Sequence, residues 1–191
     1  MGIHSLLIWG ISAIWIGLEI WLVVRDKLAG KGKTQHDKGT RNYNFISIAA
    51  SMTAAGFLNG ISIFGFMGRR IEILFWVGFG IMIMGLAFRV WSIIVLGKYF
   101  RTTVELDERR TVVRAGPYRW IRHPSYSGLL LVCLGYGIAL QSWLSLLVVL
   151  TLPSIALLHR IRVEERLLVR GIGNDYIEYQ RQTKRLIPGI W

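Results

Sequence analysis

Long runs of apolar residues, separated by short polar and basic segments, dominate the chain. About 20 apolar residues are needed for an α-helix to cross the hydrocarbon core of a bilayer. Five runs approach or reach that length, and the short connector between the last two predicts a tight hairpin of antiparallel helices. The sequence therefore predicts an all-α, polytopic integral membrane protein. The five predicted spans are residues 3–24, 45–67, 71–96, 125–140 and 142–159.

Local features refine this pattern. Gly78, Gly80 and Gly85 lie within one apolar run, and small residues of this kind favour close contact between membrane helices. Pro153 lies inside the fifth run and predicts a kink or a local break, because proline has no backbone N–H. The same run continues with helical spacing to about Arg170, so we expect its helix to extend beyond the membrane.

The charges of the chain are concentrated between the apolar runs. Among its 191 residues, 23 are Lys or Arg and 11 are Asp or Glu, which gives a formal net charge of +12. Segments 25–41, 98–122 and 160–185 hold 20 of the 23 basic residues. In a five-span layout these segments lie on one side, and an excess of Lys and Arg marks the cytoplasmic side. We therefore expect the N-terminus outside and the C-terminus in the cytoplasm.

The composition excludes several other classes of protein. Hydrophobic residues make up 53% of the chain, which argues against a disordered protein and against a soluble nucleic-acid binder. The single cysteine, Cys133, excludes a disulfide scaffold, and its place in the middle of the fourth span favours a packed apolar thiol. The four histidines are not at metal-ligand spacing, so we expect no metal site.

Two charged residues, Glu19 and Arg89, lie inside predicted spans. Ionisable groups are costly to place in a membrane and often mark functional sites. Each of the two also lies near the end of its span, from which a long side chain can reach the interface. We expect Glu19 to do so, whereas both interpretations remain open for Arg89.

Two polar clusters at the predicted cytoplasmic face contain residues suited to chemistry. The first, residues 116–128, reads Gly-Pro-Tyr-Arg-Trp-Ile-Arg-His-Pro-Ser-Tyr-Ser-Gly. A membrane-interface anchor explains its Trp and Arg, but not a rigid His-Pro between two tyrosines. The second, residues 159–166, places the adjacent carboxylates Glu164 and Glu165 where lipid head groups usually favour cations. These carboxylates could hold a cationic ligand, although a solvated helix with ordinary ion pairs would have the same pattern.

Together these clusters and the tail resemble the isoprenylcysteine carboxyl methyltransferase family, within a wider group that includes phospholipid N-methyltransferases. The likeness begins near Lys98 and covers the C-terminal half. It rests on Gly-Pro-Tyr at 116–118, Arg-His-Pro-Ser-Tyr-Ser-Gly at 122–128, and Arg-Val-Glu-Glu at 162–165. It continues through Gly-Asn-Asp-Tyr-Ile-Glu-Tyr at 173–179 to Arg-Leu-Ile-Pro-Gly-Ile-Trp at 185–191.

The resemblance implies a methyltransferase built of membrane helices that uses S-adenosylmethionine (SAM). It divides the chain into an N-terminal three-helix part, residues 1–97, and a methyltransferase-like part, residues 98–191, within one membrane domain. Tyr118 and Arg160 would act on the substrate. Where the family often has His-x-Leu-Val, this chain has Arg-Thr-Val-Val at 110–113. The implied cofactor-binding residues are Thr103, Arg110, Thr111, Val112, Val113, His123, Pro124, Ser125, Tyr126, Glu164 and Glu165.

The chemistry agrees with this implication. SAM carries an ammonium group that could donate hydrogen bonds to Glu164 or Glu165, and an adenine on which Tyr or His could pack. A substrate carboxylate is already ionised at neutral pH and needs no general base, only a cation such as Arg160 to orient it. We expect SAM to enter from the cytoplasm. An isoprenylcysteine-like or other lipophilic substrate would enter between the helices from the membrane lipids.

Three other functions remain open on the sequence. A phospholipid N-methyltransferase would share the SAM site, although Arg160 favours an anionic acceptor. A reductase resembling the sterol reductases would use NADPH, but carboxylates at positions 164 and 165 would repel its 2′-phosphate. A non-enzymatic membrane scaffold would leave the His-Pro-x-Tyr and Glu-Glu motifs unexplained.

Overall fold

The structure, a computed structural model, describes residues 2–28, 40–60, 71–100 and 111–191. The regular elements in these ranges are helices, which confirms the all-α prediction. The short 3₁₀ turns are Gly97–Tyr99 and Gly116–Arg119. The α-helices are α1 (Ile3–Leu28), α2 (Thr40–Gly60), α3 (Glu72–Leu96), α4 (Pro124–Leu140), α5 (Trp143–Ile172) and α6 (Asn174–Gln182).

Three of the described helices, α1, α3 and α5, are long and apolar enough to cross a membrane. Helix α4 is apolar but has 17 residues. Helix α5 has 30 residues and would measure about 45 Å at 1.5 Å per residue, so it is longer than a hydrocarbon core of about 30 Å. The helix is continuous through Pro153, so the predicted local break does not form there.

Helices α3 and α4 pack together through facing glycines. A Cβ atom on Gly78 would lie 2.6 Å from the carbonyl oxygen of Gly135, and one on Gly85 would lie 2.7 Å from that of Gly128. Neither pair leaves room for a side chain, so the two backbones can approach this closely only because all four positions are glycine. The helix-packing prediction is confirmed for Gly78 and Gly85, whereas Gly80 faces open space.

Helix α2 packs on α5 and runs antiparallel to it. The Ser145 hydroxyl near the start of α5 donates a hydrogen bond of 2.8 Å to the Ala55 carbonyl in the second half of α2. Further along α5, Leu157 shares a buried cluster with Ile48 of α2. The N-terminal helices are therefore integrated with the C-terminal ones, and the cytoplasmic ends predicted for α2 and α5 lie at the same level.

The tail after α6 returns to the start of α4. The backbone N–H of Arg122 donates to the Lys184 carbonyl at 2.7 Å, and that of His123 donates to the Arg185 carbonyl at 3.0 Å. The Lys184 N–H donates in turn to the Trp120 carbonyl at 3.1 Å. These bonds form one parallel bridge between Ile121 and Lys184, which fixes the first polar cluster against the tail.

Candidate functional site

A cavity of about 580 Å³ lies among the helices, and two groups of residues line it. One group comes from the segment before α4, the start of α4, the end of α5, and α6. The other comes from α1, α2, α3, its following turn, and α4, and is mainly apolar. The first group includes Thr111, Val112, Val113, Tyr118, His123, Tyr126, Glu164, Leu168, Ile172, Tyr176 and Tyr179. The second includes Trp15, Ile20, Val23, Val24, Phe45, Ile46, Ile48, Leu96, Phe100 and Leu129.

The start of α4 places two rings in the cavity wall. Pro124 occupies the first turn of the helix, where its missing N–H costs no hydrogen bond. His123 and Tyr126, three residues apart, therefore lie on one face, and their rings stack with centroids 5.5 Å apart and planes 11° apart. The His-Pro-x-Tyr motif thus forms a rigid aromatic pair at the site.

Tyr126 connects a cation to a carboxylate in the same wall. The Nε of Arg160 donates to the Tyr126 hydroxyl at 2.7 Å, and that hydroxyl donates to Oε2 of Glu164 at 2.8 Å. Arg160 is only 4% exposed. Because residues 160 and 164 are four apart on α5, both side chains point to Tyr126. The cavity therefore presents a guanidinium and a carboxylate at positions fixed by one phenol.

Glu165 faces a different set of partners. It accepts from Nε of Arg122 at 2.8 Å and from Nε of Arg185 at 3.0 Å, and its Oε1 lies 3.4 Å from Nε2 of His123. Nε2 of His123 itself makes no hydrogen bond of good geometry with any described residue. Burial raises the pKa of the Glu165 carboxyl, but the adjacent His123 and the hydrogen bonds from Arg185 and Arg122 outweigh it and lower the pKa to about 2. Within the described part of the chain, Glu165 does not line the cavity.

Two tyrosines of α6 complete the wall, and the sequence does not predict either as a site residue. Tyr176 and Tyr179 pack with Leu168 and Val112 in one cluster. The Tyr179 hydroxyl donates to the Tyr118 carbonyl at 2.7 Å, and burial raises its pKa to about 12. Burial also raises the pKa of Tyr176. Their spacing of three residues on a polar helix was the available signal, since it predicts one aromatic face.

The buried Arg89 and the partly buried Glu19 form an ion pair that also lines the cavity. Nε of Arg89 lies 2.6 Å from Oε1 of Glu19, and Nη2 lies 2.9 Å from Oε2. Nη1 of Arg89 donates to both the hydroxyl and the carbonyl of Ser125, at 2.8 and 3.0 Å. The expectation that Glu19 reaches the interface is wrong, because pairing with Arg89 satisfies both charges without leaving the helices.

The structure brings most of the predicted site residues together. Pro124 is buried at the start of α4 but is not part of the described lining, and Glu165 faces Arg122 and Arg185. Thr103 and Arg110 lie outside the described residues. The predicted residues that line the cavity are Thr111, Val112, Val113, Tyr118, His123, Ser125, Tyr126, Arg160 and Glu164.

Comparison with known proteins finds isoprenylcysteine O-methyltransferases among the relatives of this chain. The model of the isoprenylcysteine carboxyl methyltransferase (ICMT) family matches residues 76–170. The protein-S-isoprenylcysteine O-methyltransferase of Saccharomyces cerevisiae is 30% identical over 112 residues, which cover 51% of this chain and 47% of the yeast protein. Protein-S-isoprenylcysteine O-methyltransferase B of Arabidopsis thaliana is 29% identical over 115 residues, 59% of this chain and 58% of the relative.

A solved structure agrees with these sequence matches. The eukaryotic intramembrane Ras methyltransferase ICMT superposes with a TM-score of 0.64 and 26% identity, over 76% of this chain and 52% of the solved chain. The chain spans about half the length of the curated relatives that it matches. Its long apolar helices and this shared fold identify a multi-pass integral membrane protein. By its sequence over residues 76–170 and by its fold, the chain matches the isoprenylcysteine carboxyl methyltransferase family.

Proposed function

We propose that the chain is a SAM-dependent membrane methyltransferase that methylates the carboxylate of an isoprenylcysteine-type lipid. The observation that carries this proposal is the hydrogen-bonded series Arg160–Tyr126–Glu164 in the wall of one cavity. It offers an anion for a cationic cofactor and a cation for an anionic acceptor, a few ångströms apart. The match to the family model and the names of the relatives support the same activity.

The residues of the cavity fit the cofactor. Glu164 lines the cavity and can accept hydrogen bonds from an ammonium or a ribose hydroxyl. The stacked rings of His123 and Tyr126, together with Tyr176, provide aromatic surface for an adenine and a sulfonium. When bound, SAM supplies an electrophilic methyl group. We include Thr103 and Arg110 in the proposed site because the family places cofactor contacts upstream of the Gly-Pro-Tyr turn.

The charge of the cavity supports an anionic acceptor. Arg160 would hold the acceptor carboxylate beside Tyr126, and a carboxylate that is ionised at neutral pH needs no base. Orientation and exclusion of water would then account for most of the catalysis. Tyr118, which is buried and donates to the Ser92 carbonyl at 3.3 Å, would shape the acceptor side. Basic residues outnumber acidic ones in the described lining of the cavity. The basic residues are Lys27, Arg89, Arg122 and Arg160, and the acidic residues are Glu19 and Glu164.

The apolar part of the lining supports a lipid substrate. Aromatic and aliphatic side chains from α1, α2, α3 and α4 contribute most of it, and several of those on α1 and α2 are also exposed on the outer surface. An isoprenoid tail could bury apolar area there, at about 25 cal/mol per Å². The lipid would reach the site from the membrane between helices.

The proposed arrangement in the membrane has five spans, with α4 and α5 as a hairpin. The three basic segments face the cytoplasm, so the N-terminus is outside and the cofactor enters from the cytoplasmic side. Residues 1–97 form the three-helix part of this domain and residues 98–191 the methyltransferase part. The polar end of α5, α6 and the tail would then form the cytoplasmic cofactor site.

Transfer of label from methyl-tritiated SAM tests this proposal. Purified protein in lipid vesicles is incubated with N-acetyl-S-farnesylcysteine or with phosphatidylethanolamine, and the product is treated with base. We expect base-labile label from the farnesylcysteine, because the product is a methyl ester. Base-stable label in the phospholipid would instead show N-methylation and overturn the carboxyl assignment.

A variant pair locates the acceptor site. Arg160→Ala should raise the KM for the farnesylcysteine at least tenfold, because it removes the proposed carboxylate partner. Arg162→Ala, an exposed arginine two residues away, is the control and should leave KM unchanged. Equal KM values for the two variants would contradict the role of Arg160.

A further inference from the structure

An unsatisfied polar group lies in the cavity wall outside the family's matched region. Asn44 of α2 is 8% exposed and lines the cavity, and its Oδ1 has no hydrogen-bond partner among the residues that the structure describes. The family model begins at residue 76, so α2 is not part of the match. A buried amide oxygen without a partner is costly, and at a cavity wall it indicates a donor supplied by a ligand.

The packing of α2 on α5 sets the depth of Asn44. Ile48 shares a buried cluster with Leu157 of α5. Asn44 lies one turn before Ile48, and Arg160 lies about one turn after Leu157. Because the two helices run antiparallel, both steps go in the same direction along the helix axes, and both residues line the cavity. Asn44 and Arg160 therefore lie at a similar level on two walls of one cavity.

We propose that Asn44 recognises the N–H group next to the acceptor carboxylate. This inference rests on the proposed function, in which the acceptor is a prenylated cysteine at a chain end. The α-carbon of such a residue carries a carboxylate, an amide N–H and a methylene group, and a thioether joins that methylene to the lipid. Arg160 takes the carboxylate, the apolar lining takes the lipid, and Oδ1 of Asn44 accepts from the amide N–H. The site then distinguishes a peptide-linked cysteine from a simple lipid thioether acid.

Two acceptors that differ only at this group test the inference. N-acetyl-S-farnesylcysteine has the amide N–H, whereas 3-(farnesylthio)propionic acid has the same carboxylate, thioether and lipid without it. We expect the wild-type protein to use the first with a kcat/KM about tenfold higher. Asn44→Leu, which has a similar volume, should lower kcat/KM for the amide acceptor about tenfold and leave that for the acid within about threefold.

Asn59→Leu is the matched control. Asn59 lies on the same helix and also has a buried Oδ1 without a partner, but it is not among the cavity-lining residues. Its substitution should leave the ratio between the two acceptors unchanged. A loss of stability alone would lower both rates together and would not move this ratio.

The outcomes separate this inference from the proposed function. If Asn44→Leu retains the wild-type ratio, Asn44 does not read the amide and only this inference fails. If the wild-type protein methylates neither acceptor, the proposed function fails and this inference falls with it. A second test uses the wild-type protein and an acceptor whose amide N–H is replaced by N–CH3. The protein should use this acceptor no better than the propionic acid, because it has no N–H for Asn44. Full activity with it would overturn the inference.

Discussion

Glu164 and Glu165 are adjacent in the sequence but face different parts of the molecule. Glu164 lines the cavity and accepts from Tyr126, and its side chain is 19% exposed. Glu165 is 6% exposed at its side chain, and it accepts from Arg122 of the first polar cluster and Arg185 of the tail. Successive helix residues point about 100° apart, so one helix presents one carboxylate to the cavity and the next carboxylate to the tail.

This difference shows how the same functional group takes two roles. The carboxylate of Glu165 is neutralised by two guanidinium groups, so it stabilises the contact between α5, the tail and the start of α4. The carboxylate of Glu164 instead faces the cavity, where a cationic cofactor can approach it. We therefore propose that Glu164 recognises the cofactor and that Glu165 is a positioning residue.

Neutralising Glu165 should have the largest effect on stability. Glu165→Gln leaves the buried guanidinium of Arg122 without its counter-charge, and breaking a buried ion pair in this way costs about 3–5 kcal/mol. Arg185 is partly exposed and contributes less. We expect the melting temperature in detergent at pH 7 to fall by about 10 °C. Glu178→Gln, at an exposed pair with Arg181, is the control, and equal melting temperatures for the two variants would contradict the positioning role.

The stabilisation by Glu165 should depend on acidity. Its pKa in the folded protein is lowered to about 2, from an ordinary value of 4.5. Because this pKa is lower in the folded state, the carboxyl group stabilises the folded protein at a pH above its pKa in the unfolded chain. This stabilisation disappears as the pH falls from about 4.5 towards 2. The stability gap between the wild type and Glu165→Gln, on the order of 3 kcal/mol, should therefore narrow from pH 5 to pH 3. Melting curves of both proteins between pH 5 and pH 3 measure this difference in stability. A difference that stays constant over this range would refute the ion-pair explanation.

Neutralising Glu164 should affect binding instead of stability. Glu164→Gln keeps the shape of the side chain but removes the charge for the cofactor ammonium. We expect binding of S-adenosylhomocysteine to weaken about a hundredfold, or about 2.7 kcal/mol, with a melting temperature near that of the wild type. Calorimetric titration measures the Kd, again with Glu178→Gln as control. Unchanged binding would show that the Glu164 carboxylate does not bind the cofactor ammonium.

Removing the hydroxyl of Tyr126 should have the smallest effect among these four predictions. Tyr126→Phe keeps the ring that stacks on His123 but loses the hydrogen bonds to Arg160 and Glu164. Loss of one such hydroxyl costs about 1–1.5 kcal/mol, so binding of S-adenosylhomocysteine and methyl transfer should each fall about tenfold. Rates equal to wild type would mean that the connection between the two charges is not needed.

The sequence predicts those parts of the site that are close together along the chain. The His-Pro-x-Tyr motif lies within one turn of α4, and Arg160 and Glu164 lie within one turn of α5. Helical periodicity alone therefore places each pair on a common face. The family resemblance adds that the two faces meet, and the cavity contains both.

Other parts depend on packing between distant segments. Glu19 and Arg89 are 70 residues apart, and no local pattern pairs them, although two isolated charges in membrane spans are most easily satisfied by each other. Which of Glu164 and Glu165 faces the cavity depends on where the tail returns, which is fixed by the bridge at Lys184. The unsatisfied oxygen of Asn44 is likewise visible only once α2 is packed on α5.

Calorimetric titration of the wild-type protein with S-adenosylhomocysteine, and separately with NADPH, tests the central claim most directly. A cavity whose wall presents the Glu164 carboxylate should bind the zwitterionic methyl-transfer product and reject a phosphorylated dinucleotide. We predict saturable binding of one S-adenosylhomocysteine per chain and no heat from NADPH. Binding of NADPH without binding of S-adenosylhomocysteine would contradict the methyltransferase assignment and favour a reductase.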